Sequence, residues 1–195
     1  MSTKEQIWKS ALELFAVKGY DAVSVRDIAR EVGIRESSIY KHYKSKQEVF
    51  DTIIGEFCAY ISLHNVEQEF QMIFSCSSDS FEEALYHICY TIFRFYAKDP
   101  LVCQVKNMLN VEQYKSKEKQ HLYRQLFIEE PLKKQSEVFK RLMENGQMYA
   151  GNAYILAYEF YAVVFLLMQQ NDDNEVKAQM MLRCHVREFR KCYML

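Results

Sequence analysis

The chain has 195 residues, 49% of them hydrophobic, and a formal net charge of −1 at neutral pH. That length suits one or two domains with a sizeable core, and the apolar content excludes a disordered chain. Two prolines and five glycines against 13 phenylalanines and 14 tyrosines point to an all-α fold of long helices packed through aromatic rings, and the near-zero charge confines any affinity for nucleic acid to a local basic arrangement.

In chain order, the first expected element is a helix from Thr3 to Lys18, capped by Ser2 or Thr3, with Ile7, Trp8, Ala11, Leu12 and Phe15 on one face at helical spacing. Gly19 ends it, and Tyr20 to Val23 lead to a second helix starting at Val25. Ser24 is its N-cap, Asp27 reaches back to close a capping box, and Ile28, Ala29 and Val32 follow on the core side. Gly33 stands where this helix must end, because glycine enters the left-handed conformation without a side-chain penalty, and Ile34 returns an apolar side chain to the core. A short helix from Glu36 to Tyr43 then buries Ile39 and Tyr43 one turn apart and points Ser37, Ser38, Tyr40, Lys41 and His42 largely outward. Two brief helices set at a steep angle by a glycine turn are the helix-turn-helix pattern, whose second helix lies in the major groove of DNA. Across residues 35–46, Arg35, Lys41, Lys44 and Lys46 oppose only Glu36, a local charge of +3.

Ser45 and Glu48 start a fourth helix near Lys46, whose apolar pattern runs from Val49 to Ile61 and joins this head to the remainder. The stretch Ser75 to Ser80 reads as a loop. A helix from Phe81 to Lys98 is stopped by Asp99-Pro100, a short one runs from Leu101 to about Asn110, and polar Val111 to Lys119 reads as a loop. A long helix from about Lys119 to Glu144 is expected to kink or break at Pro131, and Asn145-Gly146 stops it. Asn152 to Gln170 is apolar on almost every side, which implies burial all round; it falls short of the roughly 20 residues that cross a bilayer, so no membrane span is expected. After the NDDN loop, a last amphipathic helix starts near Asn174. The amino-terminal run MSTKEQIWKSALELF is charged and amphipathic, unlike a signal peptide, and the expected location is the cytoplasm.

The six cysteines lie far apart, without Cys-x-x-Cys or the Cys/His spacing of a zinc site, so neither metal nor cofactor is expected. Buried free thiols are the plain reading, and a redox role for Cys184 and Cys192, which share the terminal helix, stays open. Nucleophile elbow, phosphate-binding glycine loop and zinc motif are all missing, so catalysis is not expected.

The segment ALELFAVKGYDAVSVRDIAREVGIRESSIYKHYKSKQEVFDTII, Ala11 to Ile54, resembles the DNA-binding domain of the TetR (tetracycline-repressor-like) regulators. The likeness runs through Leu14, Phe15, Gly19 and Tyr20, the hydroxyl residue Ser24, then Ile28-Ala29, Gly33-Ile34, Ile39-Tyr40, His42-Tyr43, and Lys44, Lys46 and Val49. Two positions depart from the family pattern. Ser37 stands where many members carry glycine or proline, and Glu36 stands where a basic or polar residue is usual; a glutamate repels phosphate but can accept from a cytosine amino group.

The resemblance implies a helix-turn-helix domain over 1–46 and a helical ligand-sensing and dimerisation domain over 47–195. It implies a homodimer through the last two helices, bound to a pseudo-palindromic operator and released by a small-molecule effector, with repression the expected outcome. Ser24, Tyr40 and Lys46 are the expected phosphate contacts. Arg26, Ser37, Ser38, Lys41 and His42 are expected at base edges or nearby phosphate, and Arg35 joins the DNA-binding set through its charge. The effector cavity is expected among Tyr86, His87, Tyr90, Phe93 and Tyr96 on one helix, with Met108, Tyr123, Phe127 and Tyr158 from others, a set suited to a flat apolar or cationic molecule. Glu159 could neutralise such a cation or pair with a basic residue such as Arg183. The alternative is a helical interaction protein, or a regulator without ligand control, in which the helix-turn-helix positions serve packing alone; the outward basic set argues against it.

Overall fold

The computed structural model of the chain describes residues 2–63, 73–74, 80–170 and 174–195. In chain order its helices are α1 (Thr3–Lys18), α2 (Val25–Val32), α3 (Glu36–Ile39), α4 (Lys46–Leu63), α5 (Phe81–Lys98), α6 (Pro100–Glu112), α7 (Lys117–Arg124), a π-helical turn (Gln125–Glu129), α8 (Glu130–Glu144), α9 (Ala153–Gln169) and α10 (Glu175–Tyr193). Among the described residues the one extended pairing is an isolated bridge between Met148 and Met194. The fold is all-α, as composition predicts. The expected loop at Ser75 to Ser80, the NDDN loop and Cys76 lie wholly or mostly outside the described residues. The described residues of 1–64 and 100–125 form one compact unit, and those of 65–99 and 126–195 form a second.

In the first unit, α1 presents Ile7, Trp8, Ala11, Leu12 and Phe15 to Ile28 and Ala29 of α2, Ile39 and Tyr43, and Val49, Phe50, Ile53 and Phe57 of α4; all are buried. Burying one such large apolar side chain contributes about 1.5–3 kcal/mol, so this face decides the packing of the head. Helix α6 lies against both α1 and α4 and adds Val102, Val105, Met108 and Leu109. It also overruns its expected end at Asn110. It continues to Glu112, and α7 starts at Lys117, so the expected loop shrinks to 113–116. The cause is Glu112 itself, which lies one turn beyond Met108 and Leu109 on the same inward face and is fully buried.

The second unit packs α5, α8, α9 and α10 around Leu85, Ile88, Phe93, Leu142, Val164, Leu182 and a cluster of three rings, with centroid separations of 5.2 Å for Phe139–Phe189, 5.5 Å for Phe139–Phe160 and 4.9 Å for Phe160–Phe189. Proline-131 does break the long helix expected from Lys119 to Glu144, through a π-helical turn ahead of it, with the proline placed in the first turn of α8. Proline cannot donate to the carbonyl four residues back, and the hydroxyl of Tyr161 donates to that Phe127 carbonyl at 3.1 Å.

Burial of α9 on all sides is not what the chain provides. Its neighbours cover Leu156, Phe160, Tyr161, Val164 and Met168, but leave Ile155, Tyr158 and Leu166 about half exposed; Val176 and Met180 of α10 are also open. Periodicity registers an apolar side without saying who covers it. Glu159 does not pair with Arg183: it accepts from the Tyr193 hydroxyl at 2.7 Å, while Arg183 forks onto both oxygens of Glu83 at 2.8 and 3.2 Å. The thiols also differ from the uniform burial expected. Cys89 is buried, with its pKa pushed up to about 12 by loss of solvent, whereas Cys58 and Cys103 are half-buried and Cys184 and Cys192 are exposed.

Candidate nucleic-acid interface

Local chemistry builds the two-helix turn. At the start of α2 the Ser24 hydroxyl accepts from the Asp27 amide at 3.1 Å, and the Asp27 carboxylate accepts from the Ser24 amide at 3.0 Å, closing the capping box. At its end Gly33 takes φ +76°, and the Ile34 amide reaches back to the Ala29 carbonyl at 2.9 Å. The chain leaves α2 at a fixed angle. Helix α3 is shorter than the expected Glu36 to Tyr43: after Ile39 the backbone tightens, with the amides of His42 and Tyr43 both reaching the Ile39 carbonyl, at 2.9 and 3.0 Å. Ile39 and Tyr43 are buried as expected, and the Tyr43 hydroxyl donates to the Lys4 carbonyl at 3.0 Å, tying this segment to α1.

The outer side of this turn carries Arg26, Arg35, Ser37, Tyr40 and Lys41, all exposed, with Ser38 and His42 half-buried between them. Ser24 is exposed but its hydroxyl is already engaged, donating to Asp27 at 2.6 Å. That hydrogen bond, foremost, holds the Asp27 carboxyl below its ordinary pKa. Arg30, on the same helix, pairs with Asp27 at 2.7 Å. A buried apolar inner side and a basic, hydroxyl-rich outer side on a rigid turn form a surface able to seat in a groove and hydrogen-bond to phosphates and base edges.

Residues 7–53 match the sequence model described as "Bacterial regulatory proteins, tetR family". IcaR of Staphylococcus aureus, the negative transcriptional regulator of the biofilm operon icaADBC, is 30% identical over 95 residues, 49% of this chain and 50% of IcaR, so the chain matches about half the length of that curated relative. The head of the chain is thus similar to the DNA-binding part of the TetR family. In fold the likeness spans nearly everything. A TetR-family transcriptional regulator from Mesorhizobium loti matches with a TM-score of 0.77 over 98% of this chain and 96% of that one, at 16% identity. SmeT, the repressor of the multidrug efflux pump SmeDEF of Stenotrophomonas maltophilia, gives 0.64 over 100% and 92%, at 18% identity.

One expected contact of this head points inward. The Lys46 ammonium donates to the carbonyls of Tyr20 and Val23 at 2.7 and 2.8 Å and sits 4.1 Å from the centroid of the Tyr20 ring. Partial burial, followed by the nearby Lys119 charge, lowers its pKa, against the pull of Asp21 and Glu112. Three residues that the sequence reading passed over meet there: Glu112, Lys115 and Lys119. The signal for Glu112 was available, since a carboxylate three residues after Leu109 and four after Met108 falls on the apolar face of α6.

The nine expected effector contacts are divided between the two units. Met108 and Tyr123 are buried in the first unit, and the other seven belong to the second. Within the second, Tyr86 lies under the Arg183 guanidinium at 3.7 Å, and Tyr90 donates to Glu175 and accepts from Gln179 at 2.8 Å, so both are engaged with α10. Tyr90 stacks between Tyr86 and Phe93 at 5.9 and 6.5 Å. Tyr96 meets the edge of Phe127 at 6.3 Å, and burial raises its phenol pKa to about 12. His87 and Tyr158 are exposed. Among the described residues no three His, Cys, Asp or Glu side chains are grouped to hold a metal, and no helix is long and apolar enough to cross a membrane.

Proposed function

We propose that the chain is a dimeric transcriptional repressor that reads a pseudo-palindromic operator through α2 and α3 and is released by a small molecule bound in its second unit. The observation carrying this reading is the rigid turn with a buried inner side and an exposed basic, hydroxyl-rich outer side. Arg26, Arg35, Ser37, Tyr40 and Lys41 supply its contacts, with Ser38 and His42 closing on the groove wall. Arg26, on the first turn of α2, suits a guanine edge, and Tyr40 suits a phosphate.

A second copy of the chain is the natural cover for the open side of α9 and α10. Ile155, Tyr158 and Leu166 of α9 and Met180 and Met181 of α10 are exposed apolar side chains on two consecutive long helices, and pairing two such helix pairs makes an isologous four-helix contact. A two-fold dimer sets its recognition segments one turn of duplex apart, about 34–36 Å. An effector that favours any other separation lowers operator affinity, and by linkage the operator lowers effector affinity by the same factor. Phe93, Tyr96 and Phe127 offer ring faces and edges to an apolar or cationic effector.

The test is selection of bound fragments from the protein's own genomic DNA. A short inverted repeat recovered at moderate salt is expected. Retention without sequence preference, or no retention at low ionic strength, overturns the reading.

A further inference from the structure

Glu112 ends α6 and its side chain is fully buried, a costly place for a carboxylate: it is desolvated, and it stands at the negative end of its own helix. Three donors answer for it. The Lys119 ammonium reaches Oε2 at 2.7 Å, while the Lys115 ammonium and the Tyr20 backbone amide reach Oε1 at 2.8 and 2.9 Å. Burial works against the charge, but these hydrogen bonds outweigh it and hold the carboxyl below its ordinary pKa, so it is ionised at neutral pH. On the other side of the peptide, Lys46 of α4 takes the Tyr20 and Val23 carbonyls. Lys46 and Lys119 each lie 4.1 Å from the Tyr20 ring centroid. The Tyr20 hydroxyl donates to Gln47 on α4 at 3.1 Å.

The short loop between α1 and α2 is therefore gripped by charge from α4, α6 and α7, one residue ahead of the cap that starts α2. An apolar contact would tolerate sliding. A carboxylate whose donors come from three directions does not, and two ammonium groups crowding one ring have Glu112 and Asp21 as their nearby counter-charges.

We propose that Glu112, with Lys119, is a positioning residue for DNA binding: it fixes the α1–α2 loop, and through it the cap of α2, so that displacement of α7 loosens the reading head. Lys46 belongs to this grip and not to the phosphate contacts. The inference rests on the DNA-binding reading above and adds the group that would carry regulation into the head.

The test uses full-length Glu112→Gln, which keeps shape and removes charge, Lys119→Met, which keeps the stem of a side chain 15% exposed, and Glu112→Asp as the conservative variant. Fluorescence anisotropy is read on the selected operator across a salt series, and amide exchange on 19–24 without DNA. Both neutral variants are expected to stay folded, to bind about tenfold or more weakly with an unchanged salt slope, and to exchange the Tyr20 amide faster; Glu112→Asp recovers part of the loss. Unaltered exchange in both variants overturns the grip, whether or not DNA binds. Faster exchange with wild-type affinity overturns the positioning role. A wild-type chain that ignores DNA while the variants loosen the loop leaves the grip standing and removes the reading on which its purpose rests.

Discussion

Two glycines flank α2, and the structure assigns them different costs. Gly33 has φ +76°, and a Cβ built there meets no atom within 4 Å. Gly33→Ala then costs only the left-handed backbone, about 1–2 kcal/mol. Gly19 has φ +81° and ψ 156°, a region used almost solely by glycine, and its Cβ would lie 3.1 Å from both Glu112 Oε1 and Lys115 Nζ. The lysine end can move, but the buried carboxylate is held by its other donors. Backbone strain alone is worth about 1–3 kcal/mol there, and the crowding adds to it. In a chain of this length about 1 kcal/mol shifts Tm by roughly 2–4 °C, so Gly33→Ala is expected to lower Tm by about 2–8 °C and Gly19→Ala, which adds crowding to backbone strain, by more. Calorimetry with circular dichroism checks the folded state and the transition together. Equal losses, or a larger loss at Gly33, would refute the claim that Gly19 is pinned against Glu112.

Three further outcomes are expected. Tyr161→Phe removes the donor to the Phe127 carbonyl beside Pro131 and should lower stability by about 1 kcal/mol, read by chemical denaturation. Burial lowers the pKa of His185, against a hydrogen bond to the Phe160 carbonyl; the unfolded chain therefore takes up the proton more readily, and stability present above about pH 6.5 is lost as pH falls below it. Melts at about pH 7.5 and about pH 5.5 should show that loss in the natural chain and a smaller one in His185→Gln. Leu166 is 59% exposed, so Leu166→Asp should leave the single chain folded while weakening self-association at least about tenfold, seen by light scattering.

What the sequence made legible was chemistry acting within a turn or two of helix. The Ser24–Asp27 box, the Gly33 stop, the Asp99-Pro100 break and the helix starts near Asn152 and Asn174 each depend on neighbours a few residues away, and each lies where the sequence reading put it. The outward side of the head was readable for the same reason. What escaped depends on distant partners. Glu112 looked like part of a polar loop because the amide it accepts from lies 92 residues earlier. Nor does anything nearby in sequence reveal the two carbonyls, of Tyr20 and Val23, within reach of Lys46. Residue type along a helix likewise does not tell that Tyr86 and Tyr90 meet Arg183 and Glu175 of α10.

The most direct measurement of the central claim is titration of the full-length chain onto the selected inverted repeat across a salt series, with stoichiometry read at saturation. Two chains per repeat are expected, with log affinity falling linearly with log salt and Lys41→Ala reducing the slope by about 1 per chain. One chain per repeat, or an affinity indifferent to salt, would contradict it.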